Sequence, residues 1–139
     1  MHTILEGVIS LEVGCVLYSL IDEKHLLSVD ELNDLMVRFW QTITVDKKSR
    51  PSEFTKIQEP GCGLSNSMKA TQCWSLLKYL PLIIGHRVPE DDEHWLFLLH
   101  LSDLVHLIFA QKFTTDMVRF LKEFISDNLS KLCSCLETE

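Results

Sequence analysis

Hydrophobic residues recur at helical spacing along most of this chain, and the pattern predicts five main helices. The first helix is predicted over residues 2–21, where apolar side chains return every three to four positions. For residues 13–20 a short strand is the alternative, because valines and Tyr18 favour extended backbone. A polar break at residues 22–25 closes this first segment.

The second helix has a defined start. Ser28 and Glu31 stand in the arrangement of a capping box, in which each side chain satisfies a free backbone amide at the beginning of a helix. The helix is predicted over about residues 29–44. Its buried face is predicted to contain Leu32, Leu35, Met36, Phe39, Trp40 and Ile43.

Residues 46–64 differ in character, with basic residues, prolines and glycines and little periodicity. This segment is predicted to be the longest loop. It divides a single helical domain, residues 1–139, into an N-terminal helical pair at 1–45 and a C-terminal helical set at 65–139.

Three helices are predicted in the C-terminal set. The third begins near Ser65 or Ser67, and Pro81 is expected to kink or end it because proline lacks the amide donor. Gly85 is a predicted C-cap. The fourth covers about residues 90–110 and follows Pro89 and a run of acids. Because it is apolar nearly all round, it is expected to be the central helix of the bundle.

The fifth helix is predicted to be capped by Thr114 or Thr115. Its buried face is predicted to contain Met117, Val118, Phe120, Leu121, Phe124, Ile125, Leu129 and Leu132. Short connections after the third and fourth helices favour antiparallel neighbours. The predicted fold class is therefore all-α, an irregular antiparallel bundle of about five main helices.

Composition narrows the function classes. The chain has 139 residues, 46% of them hydrophobic, which is typical of a globular domain, and a formal net charge of −7. A negative net charge disfavours DNA binding by the isolated domain. Five cysteines without a secretory leader indicate free thiols in a reducing compartment, so we expect an intracellular protein, nuclear or cytoplasmic. The longest apolar stretch, residues 95–110, is too short and too often interrupted for a membrane span.

No pattern in the sequence predicts catalysis, a metal site, a cofactor or a small-molecule substrate. His94, His100 and His106 recur every six residues, so they do not share a helix face. Asp103 and His106 could pair along their helix, but no activated nucleophile accompanies them. Cys133 and Cys135 lack the spacing of a zinc ligand pair.

One basic patch stands out in this acidic chain. Lys47, Lys48 and Arg50, with Lys56 following, lie in the predicted loop. A solvated surface loop is the simpler interpretation, and a contact with DNA phosphates is the alternative. Lys47, Lys48 and Arg50 are therefore the possible DNA contacts.

Several blocks resemble CACTA-type DNA transposases. His2, Glu6, Gly7 and Val8 match the end of that family's D-x-M-H-x-x-x-E-G-V block, whose Asp would lie before Met1. Residues 48–52 are similar to a basic R-x-R-P-S segment of animal members. Residues 64–85 are similar to the L-x-x-x-A-x-Q-x-W-x-L-L-x-x-L-P-L-x-I-G block, with Trp74, Pro81 and Gly85 among the matches. Together with weaker similarity downstream, the likeness covers nearly the whole chain.

The resemblance implies a helical insertion in an RNase H-like catalytic domain, whose acids hold two Mg²⁺ ions. Both earlier acids would precede Met1, and the final Glu would follow Glu139. Glu6 matches the motif but is expected on the solvent side of its helix. We therefore expect a transposase-derived helical fragment without nuclease activity, either a relic or a domesticated frame, that supports DNA transposition in its parent. Whether Met1 is a true start stays open.

The alternative belongs to another class of function. An insertion domain without its neighbours exposes apolar faces, which commonly drive association. The chain would then be a small acidic interaction or oligomerisation module, with a protein partner or a second copy docking on helix 2–21. DNA would be a partner only within a full-length parent, and no membrane contact is expected.

Overall fold

Five α-helices account for most of the described chain, and these residues contain no strand, so the all-α prediction is confirmed. The structure is a computed structural model that describes residues 7–64, 68–109 and 114–137, with side chains to Ser134. The helices are α1 (Ile9–Tyr18), α2 (Val29–Thr42), α3 (Ala70–Ile84), α4 (Glu93–Ile108) and α5 (Thr115–Glu137). A π turn at Ser19–Glu23 continues α1, and 3-10 turns occupy Lys47–Ser49 and Gly85–Arg87.

The helices pack in layers. α3 lies between α2 on one side and α1 and α4 on the other, and α5 covers α4 and part of α1 from outside. α2 and α3 run antiparallel. At one end Arg87 donates to the Glu31 carboxylate (3.0 Å), and at the other Lys78 donates to the carboxylate of Asp46 (3.0 Å).

α1 is the most enclosed helix. Its apolar side chains, together with Leu20 of the π turn, are 0% exposed at Ile9, Val13, Val16, Leu17 and Leu20. The prediction that helix 2–21 forms an open docking surface is therefore wrong for residues 9–21, because α3, α4 and α5 surround them. The alternative of a strand at residues 13–20 is also excluded, since these residues are helical. α4 is less enclosed than expected and leaves Leu96 half exposed.

The predicted start of α2 is confirmed. The Glu31 amide donates to Ser28 Oγ (3.2 Å), and the Ser28 amide donates to the Glu31 carboxylate (3.1 Å). The helix ends at Thr42, two residues earlier than predicted, because Ile43 has extended backbone.

α3 differs from the prediction at its start and at Pro81. It begins at Ala70, after the predicted capping serines Ser65 and Ser67, which lie outside the described residues. It also continues through Pro81 to Ile84, so the expected end at Pro81 does not occur. Ile83 and Ile84 are almost completely buried, and burying two such side chains offsets the roughly 3 kcal/mol cost of an interior proline. Gly85 is the C-cap, as predicted.

α4 and α5 begin with side-chain caps. Asp92 accepts from the Trp95 amide (3.0 Å), so α4 starts at Glu93 and not near residue 90. Thr114 accepts from the Met117 amide (3.2 Å), as one of the two predicted caps. The predicted buried face of α5 is only partly correct, since Leu132 is buried. Four of its members are 36–55% exposed: Val118, Phe120, Ile125 and Leu129.

The predicted long loop packs against the helices along much of its length. Asn33 of α2 accepts from the Phe54 amide (2.8 Å) and donates to the Phe54 carbonyl (2.7 Å). Further on, Gly63 has a φ of +76°, and the next amide, of Leu64, donates to Ser10 Oγ (2.9 Å). One buried cluster consequently extends from Ile9 to Leu132 through this loop.

No helix among the described residues is long and apolar enough to cross a lipid bilayer.

Candidate functional site: a basic face on the loop and α3

The basic residues of the loop lie on an exposed turn fixed to α3. Lys47 and Lys48 are in the 3-10 turn, and both are exposed. Arg50 follows directly and pairs with Glu53 at 3.1 Å, so part of its charge is compensated. The two lysines have no salt bridge among the described residues, and they are therefore available to an anionic partner.

Asp46 anchors the start of this turn. It has a left-handed backbone conformation, with a φ of +61°. Its carboxylate accepts from Lys78 Nζ (3.0 Å) and Tyr79 Oη (2.8 Å), and these donors hold its pKa below the usual range. The carbonyl of Asp46 accepts from Trp40 Nε1 (3.4 Å). The carboxylate of Asp46 is thus held against α3 by two of that helix's side chains.

Gln72 fixes the other end of the turn. Its Nε2 donates to the carbonyl of Arg50 (3.0 Å), and its Oε1 accepts from the amide of Lys69 (2.8 Å). One side chain therefore holds Arg50 next to the beginning of α3. We call Lys47, Lys48, Arg50 and Lys69 the basic face; all four are exposed.

Charge is strongly segregated along the molecule. Residues 47–78 contain six Lys and Arg against two Glu, although the whole chain has a net charge of −7. At the opposite end of α2 and α3, ion pairs join residues 24 and 92 and residues 31 and 87. That end carries nine acids in two segments, 22–34 and 90–93. The molecule therefore has a basic end and an acidic end, about 20 Å apart, the length of a 14-residue helix.

Asp92 shows how the acidic end is held together. Burial opposes ionisation of its carboxyl, but the ammonium group of Lys24 and the Trp95 amide outweigh that effect, so its pKa lies below the usual range. Asp92 thereby joins the segment after α1 to the start of α4.

The residues that carry the transposase resemblance are divided between core, surface and undescribed positions. His2 and Glu6 lie outside the described residues, and Gly7 is exposed. Trp74 is half-buried, with its ring 5.5 Å from that of His106 and 5.9 Å from that of Phe109. Pro81 and Gly85 are in and after the last turn of α3. Trp74, Pro81 and Gly85 thus belong to the packing and the C-terminal end of α3.

Sequence reasoning missed a buried polar group between α1 and α5. Glu12 is 0% exposed, and burial raises its pKa to about 7, with a smaller opposing effect of Asn128. Asn128 Nδ2 donates to Glu12 Oε2 over a long 3.4 Å, and Oε1 has no partner among the described residues. A signal was available, since Glu12 stands three residues after Ile9 and four before Val16, at the spacing of the core stripe.

The three histidines are dispersed, as their spacing predicted. His94 lies near Lys24 (3.5 Å between Nδ1 and Nζ), and His106 contacts the carbonyl of Ser102 (2.7 Å) in place of pairing with Asp103. His100 packs on Phe124, and burial together with nearby Lys131 lowers its pKa. Within residues 7–64, 68–109 and 114–137 no three His, Cys, Asp or Glu side chains are grouped as metal ligands.

The cysteines do not form a common site. Cys15 and Cys73 are buried, and Cys62 and Cys133 are exposed at different places on the surface. The described thiols therefore suggest no shared chemistry.

Comparison with known proteins identifies no relative: no family model, no curated protein and no solved structure matches the chain.

The geometry of the basic face suits electrostatic contact with an extended anion. Four cations are exposed on one turn and one helix start, and the neighbouring acid is neutralised by Lys78. The neighbouring cavity, lined by residues of the 52–58 segment with Leu64 and Met68, includes none of the four cations. Their exposed position favours a polymer backbone over a small ligand.

Proposed function

We propose that this chain is a helical domain of the CACTA-type transposase kind that contacts the DNA backbone and does not cut it. In the parent protein, the domain would support a catalytic core located elsewhere and hold DNA beside it. Lys47, Lys48 and Arg50 would contact the DNA phosphates, so that replacing them with alanine weakens binding, and Lys69 would complete the surface.

One observation carries the proposal. Gln72 belongs to the block at residues 64–85 that resembles the transposase family, and Arg50 belongs to the other resembling block at residues 48–52. The two residues are hydrogen-bonded, with 3.0 Å between Gln72 Nε2 and the Arg50 carbonyl. The two resembling blocks therefore meet at the basic face, where they contribute Lys48, Arg50 and Lys69.

The physical argument is counterion release. Each Lys or Arg that contacts a phosphate displaces a condensed cation from DNA, so affinity falls steeply with salt, by about 0.9 logarithmic units per contact and tenfold change in salt. The net charge of −7 makes overall binding weak. Binding should therefore be measurable at low ionic strength and oriented by the basic end.

The deciding experiment measures binding of a fluorescent DNA duplex across a salt series. The chain in which Lys47, Lys48 and Arg50 are all replaced by alanine should bind weakly, with a salt slope smaller by about 3. The matched control replaces three exposed cations of α5, Arg119, Lys122 and Lys131, and changes the net charge equally. If both variants lose affinity alike, the basic face is not the binding surface.

Nuclease activity needs its own test. The purified chain should not nick supercoiled DNA in Mg²⁺ or Mn²⁺, because the resemblance puts the catalytic acids outside it. Cleavage that a single acid substitution abolishes would overturn the non-catalytic assignment.

A second candidate function is self-association, and exposed apolar side chains on α5 support it. Val118, Ile125 and Leu129 recur at positions i, i+7 and i+11, so they share one helix stripe, and they are 36–52% exposed. We call these three residues the lateral stripe. Light scattering should detect a dimer that Leu129→Ser weakens, whereas a monodisperse monomer over a wide concentration range would contradict this function.

A further inference from the structure

α5 rests on polar groups that it satisfies poorly. Beneath it, Glu12 of α1 has one carboxylate oxygen without a partner in the described part of the chain, and the other oxygen is 3.4 Å from the Asn128 amide. His100 of α4 has two enclosed ring nitrogens that also lack a partner among these residues, and the ring of Phe124 covers it with 3.8 Å between centroids. We call Glu12, His100 and the apolar surface around them the α5 seat. A buried polar group without a hydrogen-bond partner is destabilising, so α5 is a poorly matched occupant.

α5 is also held by few buried side chains. Of its described residues, only Asn128 and Leu132 are buried, whereas Phe120 and Leu129 are more than half exposed. Elements with few buried contacts open at low free-energy cost.

The charges around the seat leave Glu12 without a cation. Asp103 on α4 and Asp127 and Lys131 on α5 act on His100. For Glu12, the polar group that acts on the carboxyl among residues 7–64, 68–109 and 114–134 is the neutral amide of Asn128. An ammonium or guanidinium group at the position of Asn128 would form a charge-assisted hydrogen bond with Glu12, which is roughly twice as strong as a neutral one.

We propose that the α5 seat binds an amphipathic helix of a partner protein, with a Lys or Arg where α5 has Asn128. α5 fills the seat when this partner is absent. Phe124 and Asn128 are four residues apart and meet His100 and Glu12 respectively. A partner helix with Gln or Glu four residues before its cation would therefore satisfy both groups. This inference goes beyond the DNA contact proposed above and does not depend on it.

Synthetic helices test the proposal against the intact 139-residue chain. The probes are peptides of residues 115–137 with the natural sequence, with Asn128→Lys, and with Ser130→Lys as the matched control. Ser130 is exposed, so the control adds the same charge on a face of the helix that the seat does not contact. At pH 7.5 the Asn128→Lys peptide should bind about tenfold more tightly than both others, by fluorescence anisotropy. That advantage should disappear in the Glu12→Gln chain.

Hydrogen exchange of the unmodified chain gives a second measurement that does not depend on the folding of Glu12→Gln. Saturating Asn128→Lys peptide should increase amide exchange in the chain's own residues 115–137, and the Ser130→Lys peptide should not. Equal affinity of the two lysine peptides would show non-specific attraction to an acidic protein and overturn the proposal. Absence of binding by every peptide would overturn it as well.

Discussion

Glu12 is the residue whose environment opposes its ordinary ionisation most strongly. Burial raises its pKa from 4.5 to about 7. In the unfolded chain the carboxyl ionises near its ordinary pKa, whereas the folded chain retains the proton until about pH 7. Raising the pH through this window therefore favours the unfolded state, and the loss of stability stops above the folded pKa.

Glu12→Gln should remove this pH dependence. The natural chain should lose up to about 3 kcal/mol of unfolding free energy between pH 4.5 and 7, since one pKa unit corresponds to about 1.4 kcal/mol. The Gln variant keeps the contact with Asn128 without a charge, so its unfolding free energy should change less over this pH range. Urea denaturation at several pH values measures this, with exposed Glu123→Gln as control. An equal decline in the Glu12→Gln chain would contradict the role of Glu12.

Asn33 is the residue that attaches the long loop to the helices. Its side chain makes both an acceptor and a donor contact with the backbone of Phe54, at 2.8 and 2.7 Å. Sequence reasoning could not predict this contact, because the partners are 21 residues apart and the pairing depends on how the loop returns to α2.

Asn33→Ala should leave the Phe54 backbone without partners and lower the unfolding free energy by about 1–3 kcal/mol. Exchange of amides at residues 53–57 should increase more than exchange in α2. Asp34→Ala removes a neighbouring exposed side chain and should have less than about 0.5 kcal/mol of effect. Comparable losses in the two variants would show that the Asn33 contacts contribute nothing specific.

At the scale of helices, periodicity predicted the existence of each one but not its ends or its buried face. The capping box at Ser28 and Glu31 is local chemistry and was read correctly. The effect of Pro81 was not, because α3 continues through the proline to Ile84, and packing of Ile83 and Ile84 in the core outweighs its cost. In α5, Leu129 and Leu132 are three residues apart and both belong to the predicted buried face, so the pattern alone could not tell which of them is buried.

Leu132→Ala should therefore destabilise the protein by about 2–3 kcal/mol, the lower part of the range for core leucines. Leu132 is 9% exposed, whereas Leu129 is 52% exposed, and Leu129→Ala should cost less than about 0.5 kcal/mol. Chemical denaturation of both variants measures the difference. If Leu129→Ala is the more damaging change in the monomer, the assigned orientation of α5 is wrong.

At the scale of the whole molecule, antiparallel packing of α2 and α3 converts a charge pattern in sequence into two charged ends. The acids of 22–34 and 90–93 meet at one end, and the basic face occupies the other. Composition gives only the sum, −7, and would indicate a protein that avoids anions altogether.

The charge separation predicts retention on both anion-exchange and heparin columns at low ionic strength. Replacing Lys47, Lys48 and Arg50 with alanine should abolish retention on heparin and strengthen retention on the anion exchanger. The control triple variant of Arg119, Lys122 and Lys131 should still bind heparin. Complete flow-through of the natural chain on heparin would contradict a functional basic end.

The sequence by itself determined the all-α class, the five helices, the cap at Ser28, the choice of Thr114 or Thr115 as the cap of α5, and the location of the basic residues. These features depend on side-chain periodicity and on hydrogen bonds within a few residues, so local chemistry is sufficient to predict them. Only the tertiary structure decided that α1 is enclosed, that Glu12 is buried against Asn128, and that Gln72 holds Arg50. These contacts join residues far apart in the chain, and they depend on which helix faces meet, which periodicity does not specify.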